Sequence, residues 1–168
     1  GVFGGSQGAQ ALNEATVELA SAKHRSFSIL HVTGVDHHAH LSQLAAGVPD
    51  WVTEAFEEQM TDFYAASDLV LSRSGALTVS ELAATGTPSV VVPLPAGKGY
   101  QAMNAQDLEQ AGGTVIVRQD RVASVPDILT RLIGDPEQLG TMRNGARSTA
   151  KPDAARRVAH ALREIANA

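Results

Sequence analysis

The feature that most constrains this chain is a recurrence. Short apolar runs alternate with amphipathic stretches, and the junctions between them are rich in glycine. The runs SILHVT (28–33), WVTEA (51–55), DLVLS (68–72), SVVVP (89–93) and TVIV (114–117) are dense in Val, Leu and Ile and alternate little, as strands covered on both faces do. Between them helices are predicted over 8–22, 37–46, 57–66, 76–85 and 101–111; the first carries Leu12, Ala15, Leu19 and Ala22 at helical spacing. Gly86, just before Thr87-Pro88, and Gly112-Gly113 read as helix stops. Strand and helix in turn, joined by short connections, predict an α/β fold: a Rossmann-like, doubly wound parallel sheet with helices on both faces. Beyond residue 120 the strands stop, and helices are expected over about 123–133, 136–148 and 153–167, with Pro126 awkward inside the first.

Composition removes several classes of function. A chain of 168 residues reads as one domain, large enough to bury about 70% of its unfolded surface. The net charge is −5 and the basic residues are scattered. A nucleic-acid partner would need them clustered on one face, so none is expected. With no cysteine, disulfides, thiolate catalysis and a cysteine zinc site are excluded. No apolar run approaches the roughly 18 residues of a spanning helix, and no signal-peptide pattern opens the chain.

The stretch GGSQGA (Gly4 to Ala9) fits G-x-S-x-G, the elbow that presents a serine nucleophile between strand and helix. Such an elbow takes part of its oxyanion hole from an earlier loop, and only Gly1, Val2 and Phe3 stand before this one. Asp120 and His160 would complete the order Ser, acid, His, but His160 falls in the terminal helical stretch. A dinucleotide fingerprint fits no better. The glycines fall at 4, 5 and 8, and the next strand runs into Thr33-Gly34 with no acid to hold a ribose. A phosphate cradle asks less of the residues. Gly4, Gly5 and Gly8 let the backbone approach an anion closely, Ser6 can donate its hydroxyl, and the amides of the first helical turn point outward.

The segment SRSGALTVSE (72–81) repeats this architecture, with Ser74 and Gly75 presenting amides at another helix start. Both turns fall at the carboxyl edge of the predicted sheet, where open parallel sheets bind ligands. Glu81 lies about a turn and a half into that helix, placed to accept two hydrogen bonds from a ribose diol. A third piece, PLPAGKGYQAMNAQ (93–106), is a Pro- and Gly-rich loop running into a helix. Gln101 and Asn104, three apart, share one helix face there, and their amides suit sugar hydroxyls and an acetamido group.

Together GGSQGA, SRSGALTVSEL and the Gln101–Asn104 loop resemble the C-terminal half of the MurG family, the N-acetylglucosaminyltransferases of peptidoglycan synthesis. The resemblance runs in consistent order over about residues 1–120. It implies the C-terminal half of a GT-B glycosyltransferase: two Rossmann-like halves facing a cleft, the nucleotide sugar held mainly by the C-terminal one. Residues 1–150 would be the UDP-GlcNAc-binding domain, and 151–168 a helix contacting the N-terminal half. Gly5, Ser6, Gln7 and Gly8 would meet the diphosphate, Ser74, Gly75, Ala76, Leu77 and Thr78 the phosphate and sugar region, and Glu81 the ribose. Gln101 and Asn104 would read the GlcNAc hydroxyls. The uracil would sit near Glu54, Ala55 and Phe56, read by backbone groups.

The resemblance also implies partners: UDP-GlcNAc, a lipid I acceptor, and peripheral association with the cytoplasmic side of the membrane. It assigns the general base to an N-terminal glycine-rich loop, so no catalytic residue is expected in this chain. Cofactors are not implied, and neither is a metal; the histidines of DHHAHL (36–41), with His37 and His40 three apart, read as an exposed helix start. Alternatives are a related GT-B transferase using another UDP-sugar and a nucleotide-binding module without transferase activity. Two departures stand out: Tyr100 occupies a place where the family often carries a second Gln, and the stretch 55–59 is one residue longer than usual. Because a strand runs to ~5 residues, the three residues before GGSQGA also suggest a chain that begins inside an element, the second half of a larger protein.

Overall fold

Each predicted apolar run becomes a strand. The computed structural model describes residues 1–5, 7–23, 25–95 and 99–166. Strands β1 (Val2–Phe3), β2 (Ile29–Val32), β3 (Trp51–Glu54), β4 (Val70–Ser72), β5 (Ser89–Val91) and β6 (Thr114–Ile116) form one sheet in the order β3-β2-β1-β4-β5-β6. Every pairing is parallel. This is the doubly wound order of dinucleotide-binding folds, and its winding reverses between β1 and β4.

Side chains of successive strand residues enter opposite layers, as the pleat requires. Val2, Leu71 and Val90 join one core cluster, while their neighbours Phe3, Val70 and Val91 join the other. The first layer is roofed by α1 (Gln10–Ala20), α7 (Val125–Ile133) and much of α8 (Pro136–Ser148), through Leu12, Leu19, Leu129 and Met142. The second is roofed by α3 (Met60–Ala65), α4 (Ala76–Thr85) and α6 (Gln106–Gln110), through Phe63, Leu82 and Leu108. Leu12 is fully buried, which contributes up to about 1.5–3 kcal/mol for that side chain.

Several boundaries differ from expectation, each for a local reason. The helix predicted from 57 starts at Met60, because the Glu57 carboxylate accepts the Gln59 amide at 2.6 Å and holds 57–59 as a bend. Helix α2 (Val35–Ala45) starts two residues early, directly on Gly34. The helix predicted over 101–111 is two short pieces, α5 (Tyr100–Asn104) and α6. The buried Ala105 between them closes a tight i→i−3 bond to the Ala102 carbonyl at 3.3 Å. Pro126 is not disruptive: it stands at the N-terminal edge of α7, after a 3-10 turn over Gln119–Ser124, where a missing amide hydrogen costs nothing. Helix α9 (Ala154–Ala166) has no buried residue, and Val158, Leu162 and Ile165 on it are 60%, 62% and 75% exposed.

Candidate functional site

The cleft at the winding reversal is built by three turns leaving the carboxyl ends of β1, β4 and β5. It encloses about 420 Å³. The β1–α1 loop lines it with Gly4, Gly5 and Gly8, the β4–α4 turn with Arg73, Gly75 and Thr78, and the segment after β5 with Leu94 and Gln101. A larger groove of about 600 Å³ runs beside α4, lined by Val79, Ala83 and Leu108 on one side and Pro152 and Ala155 on the other. Ala76 at the α4 start reaches this groove too, but Arg73 and the α1 start do not; only the smaller cleft brings both helix starts together with the arginine.

Two helices open onto this cleft, and among the described residues no side chain caps either of them. The residue before α1 is Ala9 and the one before α4 is Gly75; neither helix has a side-chain cap bond or an acidic residue in its first turn. Away from the cleft, α8 is capped in the ordinary way, the Asp135 carboxylate accepting from the Gln138 amide at 2.9 Å. Uncapped amides and the helix dipole give each start about half a positive charge. Arg73 adds a full one between them. Its guanidinium is half-buried and donates to the Val92 carbonyl at 2.9 Å and to Gln119 Oε1 at 2.5 Å. Burial draws its pKa down from the ordinary guanidinium value, and it remains cationic at neutral pH. The cleft therefore suits an anion.

The β1–α1 loop is held by a close backbone approach. Gly8 has φ +76°, and a Cβ there would lie 2.1 Å from the Thr33 carbonyl oxygen. Gly34 has φ +84°, and its Cβ would lie 2.4 Å from the Gly8 nitrogen. Beneath this contact runs a buried polar relay. Asn13 Nδ2 donates to the Thr33 carbonyl at 3.1 Å, and His31 Nε2 stands 3.0 Å from Asn13 Oδ1. Because that oxygen only accepts, His31 carries its proton on Nε2, and its buried Nδ1 has no partner among the described residues. Burial lowers the His31 pKa to about 4.

The second and third turns are tied to each other. Ser74 is fully buried, its hydroxyl donating to the Gln101 carbonyl at 2.8 Å, while Asn104 Nδ2 donates to the Ser74 carbonyl at 3.1 Å. Gln101 Oε1 accepts from the Leu94 amide at 2.9 Å, leaving its NH₂ pair as donors. Glu81 is half-buried and accepts from the Tyr64 hydroxyl through Oε2 at 2.8 Å.

Of the residues singled out in the sequence, Gly5, Gly8, Gly75, Thr78 and Gln101 line the cleft together. Ala76 and Leu77 are exposed in the first turn of α4, Leu77 at 73%. Gln7 is exposed, and its carbonyl lies against Gly34. Asn104 lines the neighbouring groove. Phe56 is 53% exposed beyond β3 and is not among the cleft-lining residues, and the Glu54 carbonyl is taken by the Thr33 amide at 2.9 Å. Ser6 lies outside the described residues. The acid and base of the serine-nucleophile alternative are occupied elsewhere: Asp120 pairs with Arg118 at 2.8 Å, and His160 stands 3.5 Å from Glu164 on α9. Arg73 and Tyr64 were not singled out. Arg73 was detectable as a charge placed directly at the end of a buried apolar strand, a costly position without a purpose.

A model of the glycosyltransferase family 28 C-terminal domain matches residues 1–158. The chain belongs to this family. Among its family 28 relatives is the UDP-N-acetylglucosamine–N-acetylmuramyl-(pentapeptide) pyrophosphoryl-undecaprenol N-acetylglucosamine transferase of Mycobacterium avium (strain 104), 41% identical over 98% of this chain and 41% of that protein. The chain thus spans about two fifths of the length of the curated relatives it matches. The crystal structure of Acinetobacter baumannii MurG superposes with a TM-score of 0.83 at 32% identity, over 97% of this chain and 51% of that one. Glycosyltransferase VinC, solved in complex with DTDP, superposes at 0.62 with 14% identity over 88% of this chain and 35% of that one, a likeness of fold alone. The family 28 domain therefore has the α/β architecture of one half of a GT-B glycosyltransferase.

Proposed function

We propose that this chain is the donor-binding half of an inverting glycosyltransferase that moves N-acetylglucosamine from UDP-GlcNAc to the C4 hydroxyl of the N-acetylmuramyl unit of lipid I, forming lipid II of peptidoglycan. The observation that carries this reading is the convergence of two uncapped helix starts and Arg73 on one cleft. The names of its relatives supply the sugar and the acceptor.

On this reading the acceptor C4 oxygen attacks the anomeric carbon of GlcNAc from the face opposite UDP, inverting it. The bond from that carbon to the β-phosphate oxygen breaks, and its electron pair leaves with UDP. The α1 and α4 starts and Arg73 meet the charge as it develops on the leaving diphosphate. The proton of the C4 hydroxyl passes to a base in the N-terminal half of the whole enzyme. Gly5, Ser6, Gln7 and Gly8 would hold the diphosphate, with Ser74, Gly75, Ala76, Leu77 and Thr78 opposite them. Glu81 would take the ribose diol, and Phe56 would neighbour the uracil. The NH₂ of Gln101 would donate to the sugar, and Asn104, with Nδ2 already bonded, would accept through Oδ1.

Residues 1–150 would form the donor domain, and the exposed stripe Val158, Leu162 and Ile165 of α9 would pack on the N-terminal half. Among the described residues no helix is long and apolar enough to cross a membrane. A lipid-linked acceptor would then bring the whole enzyme to the cytoplasmic membrane surface peripherally. Calorimetry with UDP-GlcNAc tests the reading. Saturable binding is expected, and no heat at millimolar donor from a folded sample overturns it. The departure at Tyr100, 60% exposed beside Gln101, favours one second reading, a different UDP-sugar. A panel of UDP-sugars decides between them by which one binds most tightly.

A further inference from the structure

We infer that Tyr64 is a positioning residue for nucleotide recognition, its hydroxyl setting the Glu81 carboxylate to receive a ribose diol. The inference rests on the donor-site reading. Glu81 follows Thr78 by three residues on α4 and so shares its face, one turn deeper than the cleft lining. A free glutamate at that depth would sample many rotamers. Here the Tyr64 hydroxyl donates to Oε2 at 2.8 Å, and among the described residues no other side chain bonds the carboxylate.

The phenol is itself aimed by the core. Its ring stands edge-on to Phe3 at 6.1 Å and to Phe63 at 5.7 Å, and the residue is 3% exposed. Phe3 also lines the cleft, so the same aromatic cluster supports both the cleft and the carboxylate. Burial, reinforced by Glu81, raises the Tyr64 pKa above its ordinary value, so the hydroxyl remains a donor at neutral pH. With one lone pair of Oε2 filled, Oε1 and the remaining lone pair of Oε2 remain as acceptors on a half-buried side chain. A ribose presents two adjacent O–H donors, which is the matching set. Ordering a flexible side chain before the ligand arrives is worth about three- to tenfold in affinity.

The test is calorimetry with UDP and with 2′,3′-dideoxy-UDP on the unsubstituted chain, Tyr64→Phe, Glu81→Gln and the double variant. Tyr64→Phe keeps the ring and removes one oxygen. It should bind UDP about three- to tenfold more weakly, match the unsubstituted chain on the dideoxy nucleotide, and add no loss in the Glu81→Gln background. Equal affinity for UDP, or an equal loss on both nucleotides, overturns the inference while leaving the donor site standing. An unsubstituted chain that binds no UDP overturns the donor-site reading and this inference with it. Should Tyr64→Phe not fold, the Tyr100→Phe chain labelled with 3-fluorotyrosine reports on Tyr64 alone, since the chain has 2 tyrosines. Its fluorine resonance should move with UDP and stay with dideoxy-UDP, and a resonance indifferent to the diol refutes the role.

Discussion

Replacing Gly8 and Gly5 by alanine, one at a time, separates backbone strain from close contact. Both glycines have positive φ, +90° at Gly5 and +76° at Gly8. An alanine held there costs roughly 1–2 kcal/mol, partly offset by about 0.4–1 kcal/mol from a stiffer unfolded chain. At Gly5 a Cβ meets nothing within 4 Å among the described residues, so the net cost should stay near ~1 kcal/mol. At Gly8 the Cβ would stand 2.1 Å from the Thr33 carbonyl oxygen, an atom already held by Asn13 Nδ2. Relieving that overlap means breaking a buried hydrogen bond, a further ~1–3 kcal/mol. Gly8→Ala should therefore lose about 2–4 kcal/mol in total, lowering Tm by roughly 4–16 °C. Urea and thermal unfolding of the two variants measure the difference. A Gly8→Ala chain within about 0.5 kcal/mol of Gly5→Ala in stability would refute the close-approach argument. The Gly5 methyl enters space assigned to the phosphates, so Gly5→Ala should fold well yet weaken UDP.

Three further outcomes are expected. His31, with a folded pKa of about 4 against an ordinary ~6.5, binds its proton more readily when unfolded. Its contribution to stability is intact above pH ~6.5 and is lost as pH falls toward 4, by on the order of 3 kcal/mol; urea unfolding across that range should show the fall, and a His31→Gln chain with the same slope would sink the assignment. Arg73→Met should weaken UDP by about 10- to 100-fold but leave uridine unchanged, as read by calorimetry, and equal losses on both would remove Arg73 from the phosphate site. Gln101→Ala should weaken UDP-GlcNAc and spare UDP, whereas Glu81→Ala should weaken both alike, and the reverse pattern in competition binding would overturn the assigned roles.

Local chemistry made much of the fold readable. Strand positions followed from apolar runs bounded by glycine, and Gly86, read as a helix stop, caps α4 with φ 69°. The two anion-facing turns were readable because each sits where a strand ends and a helix starts. What stayed hidden was set by contacts distant in sequence. The break at Ala105 accompanies bonds from Ser74 and Asn104 across 27 and 30 residues. The Tyr64–Glu81 bond joins separate helices 17 residues apart. Arg73 lay inside a quoted motif yet passed as a turn residue, since its partners Val92 and Gln119 only meet it in the folded sheet. Phe56 rested on the family resemblance alone; the bend fixed by Glu57 leaves it 53% exposed beyond β3.

The central position of β1 has a mechanical consequence. Val2 and Phe3 pair with His31 and Val32 on one side and with Leu71 and Ser72 on the other. In the order β3-β2-β1-β4-β5-β6 the two wings of the sheet, among the described residues, are laddered together through this seam. Closing it joins Val2 to Leu71, so the rungs that unite the wings span long stretches of chain, and loop-closure entropy makes such contacts late to form. The cleft lies across the end of the seam, touching the loop that follows β1 and the turn that follows β4. An anion bound there acts as a clasp across the two wings. Its occupancy should slow amide exchange in β2 and β5 together, strands that never touch it.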